Sequence, residues 1–329
     1  GDQVPLIAET GGQNCMIVDS TALPEQVVDD VISSGFQSAG QRCSALRVLF
    51  LQEDIADNVI NMLKGALAEL HIGNPAKLST DVGPVIDQKA LNALNAHAEY
   101  MQTNGKLLYQ CQFSDDVIDE AGHFFFAPRL YEITDINVLK QEVFGPCVHI
   151  VRFKGSEIET VIDKINGTGF GLTMGIHSRI EHRAVELAKL SRAGNIYINR
   201  NMIGAIVGVQ PFGGRGLSGT GPKAGGPNYL TRLVKEKATP SEDEFNFLPE
   251  QAEALKGDAI AQEEAVFLMN KAVAAEKKWR LTDLNTRISS VRQLLAKIAH
   301  VEIVEDLADD LNKTLASARS QLINIEKLM

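Results

Sequence analysis

The chain has 329 residues, 44% of them hydrophobic, which is enough for one large or two modest domains with a true core. Its 42 acidic side chains outnumber the 32 basic ones and give a formal charge of -10, which argues against broad contact with nucleic acid or an anionic membrane. The four cysteines, Cys15, Cys43, Cys111 and Cys147, show neither metal-ligand spacing nor a disulfide framework, so we expect no metal site and a reducing, cytoplasmic location.

Strands and helices are predicted to alternate along the first two hundred residues. Apolar runs predict strands at 4–8, 16–19, 48–51, 107–109, 124–130, 148–153, within 167–176, and at 195–199. Apolar residues at helical spacing predict helices at 25–35, 54–70, 88–103, 157–166 and 182–192. The alternation indicates an α/β domain with a mostly parallel open sheet.

Cys43 lies in the segment FQSAGQRCSALR, between a flexible glycine stretch and an apolar strand. A cysteine becomes a nucleophile when a nearby cation, a helix N-terminus or backbone amides favour its thiolate. Arg42 and Arg47 flank Cys43, and Gly40 lets the backbone approach a ligand closely. The alternative is a small buried apolar side chain, which is the usual role of an isolated intracellular cysteine.

Two carboxylates lie at predicted strand ends. Glu9 follows the first strand, where it is either a solvated loop acid or a group that faces something reactive. Glu142 and Phe144 lie two residues apart at the entry of the strand 148–153. A carboxylate and an aromatic ring at this spacing can hold a sugar hydroxyl and a flat ring.

The segment 203–227 is rich in glycine and is either a flexible linker or a structured loop. Interleaved apolar residues favour the structured loop, with backbone amides that approach a ligand. The predicted apolar anchors are Val207, Val209, Phe212 and Leu217. The seven histidines show no metal-ligand spacing and are interpreted as surface or packing residues.

The composition changes after Pro240, so we predict two regions, 1–240 and 241–329. Most of 250–329 has helical periodicity and few turn residues. This pattern predicts an α-helical tail that packs as a hairpin or small bundle. A long coiled coil is disfavoured because Thr282-Asp283 and 300–305 interrupt the periodicity.

Four motifs follow one another over about two hundred residues: Glu9-Thr-Gly-Gly, Gly40-Gln-Arg-Cys, Glu142-Val-Phe-Gly-Pro and Pro211-Phe-Gly-Gly. Together they resemble the catalytic half of the aldehyde dehydrogenase superfamily. The sequence around Cys43 and that of 199–227 are most similar to the glutamate semialdehyde (pyrroline-5-carboxylate) dehydrogenase modules of the bifunctional proline utilization A family. The resemblance covers about residues 4 to 235.

The resemblance implies an NAD-dependent oxidation of L-glutamate γ-semialdehyde to glutamate in proline degradation. It implies that Cys43 attacks the aldehyde to give a thiohemiacetal, and that transfer of hydride to NAD leaves a thioester. Glu9 would activate the water that hydrolyses the thioester. By the same match, Glu142 would bind the nicotinamide ribose and Phe144 would pack beside the cofactor.

The substrate residues implied by the resemblance belong to two segments. Backbone amides of Gly204 and Ala205 would meet the carboxylate end of the aldehyde substrate, and the Ser44 hydroxyl would donate to it. Phe212 would pack against the aliphatic part. Such donors are expected because an unpaired buried charge is costly.

The match begins inside the family pattern, so we expect this chain to be a C-terminal piece of a longer protein. Without the upstream NAD-binding half and its oxyanion-hole asparagine, we expect poor NAD binding and a rate lower by about 10²-fold or more. The parent could also carry FAD in a separate proline dehydrogenase domain.

Two other functions stay open at this point. One is a non-catalytic oligomerisation or interaction module, in which a predicted strand at 229–237 pairs across a homo-oligomer interface. The other is a cofactor-free thiol hydrolase that uses Cys43 and Glu9.

Overall fold

The structure is a computed structural model that describes residues 6–113, 124–206, 208–233, 279, 282–283, 285–287 and 289–290. The elements, in chain order, are β1 Cys15–Val18, α1 Pro24–Phe36, β2 Val48–Gln52, α2 Glu53–Ala68, α3 Gln88–Asn104, β3 Lys106–Gln110, β4 Arg129–Glu132, β5 Cys147–Phe153, α4 Ile158–Gly167, β6 Phe170–Gly171, β7 Thr173–His177, α5 Glu181–Leu190, β8 Asn195–Ile198, β9 Arg215–Gly216 and α6 Tyr229–Leu233.

A seven-stranded sheet organises the domain, in the order β3-β4-β5-β2-β1-β7-β8. All neighbouring strands are parallel except β3, which runs antiparallel to β4. The central strands β1 and β2 are buried at every position, because a parallel sheet is covered on both faces. The mostly parallel α/β fold predicted from the sequence is therefore confirmed.

Local sequence explains where the helices begin. Pro24 occupies the first turn of α1, where its missing N–H costs no hydrogen bond, and the helix then buries Val27 and Val31. Asp87 caps α3 by accepting a hydrogen bond from the amide of Ala90. α1 is the element that delivers the chain to the Cys43 segment.

Two strand predictions are wrong in the described residues. Within the first predicted strand, 4–5 lie outside the described residues and 6–8 form no strand. β4 begins at Arg129 and not at Phe124, because Pro128 has no N–H for the ladder and the Phe124 carbonyl accepts instead from Val85 in a loop.

The oligomerisation strand predicted at 229–237 is also wrong where the structure describes it. Tyr229–Leu233 is the helix α6, and 234–237 lie outside the described residues. The residues at the start of α6 form hydrogen bonds with one another: the amide of Tyr229 donates to the Gly226 carbonyl, and the Thr231 hydroxyl donates to the Asn228 carbonyl. The argument for an interaction module based on a strand edge loses its basis here.

The glycine-rich segment is structured, but not by the apolar anchors that we predicted. Val209 and Leu217 are 73% and 61% exposed, and Val207 lies outside the described residues. Phe212 is half-buried and exchanges two backbone hydrogen bonds with Ala224. Backbone pairing rather than apolar packing therefore holds this loop.

The chain divides into two compact units, Gly1–Leu248 and Pro249–Met329. The predicted boundary at 240 and most of the predicted tail helices lie outside the described residues. Residues 285–287 and 289–290 are helical, after Asp283 accepts a hydrogen bond from the amide of Thr286. Across the described part of the chain, no helix is long and apolar enough to cross a membrane.

Candidate active site

The sheet brings three predicted site segments together. Glu9 precedes β1, Cys43 precedes β2, and Glu142 with Phe144 precedes β5. β5, β2 and β1 are consecutive parallel neighbours, so the segments that enter them meet at the amino edge of the sheet. The amide of Gly12, in the segment that carries Glu9, donates to Glu142 Oε2 at 3.1 Å, and the charges of Glu142 and Glu9 both raise the pKa of the Cys43 thiol.

The turn that carries Cys43 has an unusual backbone. Ser38, Ala39 and Gly40 are consecutive residues with positive φ, at 55°, 52° and 63°. A Cβ on Gly40 would lie 2.3 Å from the Gly145 carbonyl oxygen, so no other residue fits there without movement. The resulting turn leaves Cys43 exposed, whereas Cys15, Cys111 and Cys147 are buried.

The two arginines that flank Cys43 in the sequence are hydrogen-bonded to other groups. Arg42 donates to the Ser38 hydroxyl at 3.1 Å, and Arg47 is paired with Glu142. Desolvation raises the pKa of Cys43 above its ordinary value of 9.0, and the backbone amides of Ser44 and Cys43 oppose this rise. The resting thiol is therefore protonated at neutral pH.

Arg47 joins the Cys43 turn to the Glu142 turn. Its side chain is fully buried and donates to Glu142 Oε1 at 3.1 and 3.3 Å. It also donates to the carbonyls of Gly40 at 2.7 Å, Arg42 at 3.1 Å and Gly145 at 3.3 Å. One guanidinium thus holds the backbone on both sides of the site, a role that the sequence analysis missed.

Asn14 was missed as well, although it contacts the nucleophile segment directly. It is 2% exposed, and its side-chain amide donates to the Cys43 carbonyl at 2.6 Å and to the Ala45 carbonyl at 2.9 Å. Its side-chain oxygen accepts from the amide of Thr173 at 3.2 Å. In the sequence Asn14 is one of two adjacent polar residues, with Gln13, directly ahead of the apolar strand β1.

The predicted substrate residues occupy two places. Ser44 lies beside Cys43 but is 7% exposed, and its carbonyl accepts from the Thr173 hydroxyl at 3.2 Å. Gly204 and Ala205 are exposed in the loop after β8, and the space next to Gly204, at φ 77°, is open. The amide of Met202 donates to the Ser34 hydroxyl at 3.0 Å, which anchors this loop to α1.

The residues before β5 fit a nicotinamide ribose. A carboxylate offers about four acceptor positions. Glu142 uses two on Oε1 for Arg47 and one on Oε2 for the amide of Gly12 at 3.1 Å, which leaves one for a hydroxyl. Phe144 is 44% exposed on the same turn, with the Arg47 guanidinium 5.0 Å from its ring centroid.

Within the described ranges, no group of three or more histidine, cysteine or acidic side chains could hold a metal ion. The site consists instead of an exposed thiol with two carboxylates nearby, and a buried arginine and a buried asparagine hydrogen-bond to the backbone around the thiol. Fold and site together describe an α/β protein with an exposed cysteine in a tight turn, a side chain of the kind that can act as a nucleophile.

Comparison with known proteins gives the family. The aldehyde dehydrogenase family model matches residues 1–239, so the chain belongs to the aldehyde dehydrogenase family. A bifunctional protein PutA of Klebsiella aerogenes is 52% identical over 239 residues, which are 72% of this chain and 18% of that protein. The chain therefore spans less than a fifth of the length of this curated relative.

Solved structures agree with this assignment. A crystal structure of a bifunctional proline utilization A protein is 54% identical, with a TM-score of 0.68, over 71% of this chain and 23% of that one. A 1-pyrroline-5-carboxylate dehydrogenase from Thermus with bound NAD is 31% identical, with a TM-score of 0.64, over 70% of this chain and 43% of that one. The resemblance inferred from the four motifs is confirmed.

Proposed function

We propose that this chain supplies the nucleophile half of an NAD-dependent L-glutamate γ-semialdehyde dehydrogenase, acting in proline degradation as part of a longer protein. The observation that carries the proposal is the exposed thiol of Cys43 in a tight turn, within electrostatic reach of Glu9 and Glu142. The similarity to PutA and to a pyrroline-5-carboxylate dehydrogenase supports this choice of substrate.

The first chemical step joins Cys43 to the substrate. Because the resting thiol is protonated, its proton must pass to solvent water before the sulfur attacks the aldehyde carbon, and Glu9 stays available as the base for the later hydrolysis. The carbonyl oxygen takes the electron pair, which gives a thiohemiacetal. The amide of Ser44, directed at the sulfur, favours the thiolate that makes this attack.

NAD, held at its ribose by Glu142 and flanked by Phe144, supplies the acceptor for the hydride when it is bound. A thioester then remains on Cys43. Glu9 takes a proton from water as the water attacks the thioester carbon, and the thiol leaves as the acid product forms.

The carboxylate end of the substrate needs hydrogen-bond donors. We assign this role to the backbone amides of Gly204 and Ala205 and to the Ser44 hydroxyl, with Phe212 packed against the aliphatic chain. The open space beside Gly204 supports this assignment. In the full-length protein, Ser44→Ala is expected to raise KM for the semialdehyde while kcat changes less.

The test uses the full-length protein that contains this chain, with NADH formation from glutamate semialdehyde as the readout. Cys43→Ala is expected to abolish turnover. Glu9→Gln is expected to give one rapid burst of NADH followed by slow turnover, because the thioester forms but is hydrolysed slowly. Glu99→Gln, a change at an exposed acid on α3, is the matched control and keeps both phases. Retained turnover in Cys43→Ala would reject the proposal.

A further inference from the structure

The peptide between Cys43 and Ser44 determines what faces the sulfur. A trans peptide is planar, so the carbonyl of one residue and the N–H of the next point in opposite directions. Whatever holds the Cys43 carbonyl therefore also aims the Ser44 N–H. In this structure that N–H is directed at the Cys43 sulfur, where it favours the thiolate.

The Cys43 carbonyl accepts a hydrogen bond from the side chain of Asn14, which is itself fixed by further hydrogen bonds. Both donors of the Asn14 amide are used, on Cys43 and on Ala45, and its oxygen accepts from Thr173. The Asn14 backbone carbonyl also accepts from the amides of Arg47 and Val48, at 3.0 and 3.1 Å, which fixes Asn14 against β2. The carbonyl of Cys43 can turn away only if this network opens.

We propose that Asn14 is a positioning residue for the nucleophile, which holds the Cys43 carbonyl so that the Ser44 amide stays aimed at the sulfur. The inference rests on the proposed role of Cys43, and it adds a residue that touches neither substrate nor cofactor. Asn14 belongs to the segment that enters β1, so it links the segment that carries Glu9 to the Cys43 turn.

The other groups that face the thiol make this amide important. Glu142 and Glu9 both disfavour the thiolate, as does desolvation. Arg47, the neighbouring cation, directs its N–H groups to Glu142 and to three carbonyls. The amides of Ser44 and of Cys43 itself lower the pKa of Cys43, and the Arg47 charge also attracts the thiolate.

The test is the pH dependence of iodoacetamide alkylation of Cys43 in the full chain, which needs neither NAD nor aldehyde. The other three cysteines are buried, and Cys43→Ser supplies the blank. Asn14→Asp keeps the size and the acceptor for Thr173 but removes both donors, and Asn14→Ala removes them without adding charge. Asn166→Ala is the matched control, because that side chain also donates to one carbonyl, of Leu190, and accepts from one amide, of Arg192.

Both Asn14 variants are expected to move the alkylation midpoint upward by about one pH unit, which lowers the rate at neutral pH about tenfold. Asn166→Ala is expected to leave the midpoint in place even if stability falls. Folded Asn14 variants with the wild-type profile would overturn the inference.

A measurement on the unaltered chain covers the case in which the variants do not fold. The Ser44 amide resonance is expected to shift with the same midpoint as the alkylation rate, because its hydrogen bonds the sulfur that ionises. If the chemical shift of the Ser44 amide does not change as the thiol ionises, the inference is overturned. A dehydrogenase assay that fails while these results hold would reject the proposed function alone.

Discussion

The Arg47–Glu142 pair makes a quantitative prediction, because it is the ion pair that links the Cys43 turn to the Glu142 turn. Arg47 is fully buried and the Glu142 side chain is 15% exposed. Burial lowers the pKa of Arg47 and Glu142 opposes this shift. Removing one partner of such a pair leaves an uncompensated charge, at a cost of about 3 to 5 kcal/mol.

We expect Arg47→Met to lower the free energy of unfolding by about 3 to 5 kcal/mol, because it also strands the carbonyls of Gly40, Arg42 and Gly145. Glu142→Gln keeps an acceptor but removes the charge, and should cost about 2 to 3 kcal/mol. In the double variant no unpaired charge remains, so its loss should fall short of the sum by about 1.5 to 3 kcal/mol.

Urea unfolding followed by far-ultraviolet circular dichroism measures the free energy of unfolding of the unaltered chain, the two single variants and the double variant, which together form a double-mutant cycle. The exposed pair Lys189 and Glu186, at 2.8 Å, provides a matched cycle with Lys189→Met and Glu186→Gln. Its coupling should be much smaller than that of Arg47 and Glu142, because solvent screens exposed helix pairs. Additive losses at Arg47 and Glu142, within about 0.5 kcal/mol, would refute the assignment of Arg47 as the link between the two turns.

Three further predictions test the backbone, the buried histidines and the thiol. Gly40→Ala should cost more than about 2 kcal/mol in urea unfolding, because of its φ of 63° and the Gly145 contact, whereas Gly65→Ala in open space on α2 should stabilise by about 0.5 to 1 kcal/mol. An equal effect of the two changes would contradict the account of the turn. Fully buried His149 has a pKa of about 3 and touches His97, whose pKa is about 4, at 2.8 Å. Both pKa values are depressed, so the stabilisation is complete above about pH 6.5, and the free energy of unfolding falls by about 1.4 kcal/mol per pH unit for each histidine as the pH is lowered. In His149→Phe one proton fewer should be taken up on unfolding, so the free energy of unfolding should depend less steeply on pH. An unchanged pH dependence would exclude His149 as its source. Alkylation of Cys43 should still increase above pH 9, since its pKa is raised from 9.0, and a plateau below pH 8 would contradict the protonated resting thiol.

The regular part of the fold could be predicted from the sequence, because each element has a local cause. The runs CMIV and VLFL are apolar throughout and predict β1 and most of β2, and the apolar face of 54–70 predicts α2. The wrong strand at 229–237 shows the limit. The composition of 229–237 is compatible with a strand, but local hydrogen bonds such as that of the Thr231 hydroxyl to the Asn228 carbonyl stabilise the helix α6 instead.

The chemistry of the site divides in the same way. Cys43, Glu9, Glu142 and Phe144 were found because their motifs fix the identity and spacing of reactive groups along the chain. The charge environment of these residues could not be predicted from the motifs. Arg47 lies four residues from Cys43 and suggested an ionised thiol, yet its side chain turns to Glu142, 95 residues away in sequence.

The sequence by itself determined which residues we propose to carry the chemistry and which runs become strands, since these depend on side-chain type and local periodicity. The tertiary structure alone decided that the segments before β1, β2 and β5 meet at one edge, because strand order depends on packing between distant runs. It also decided that Asn14 and Arg47 support the site. Their role comes from being buried against carbonyls of other segments, where each unmade hydrogen bond is costly.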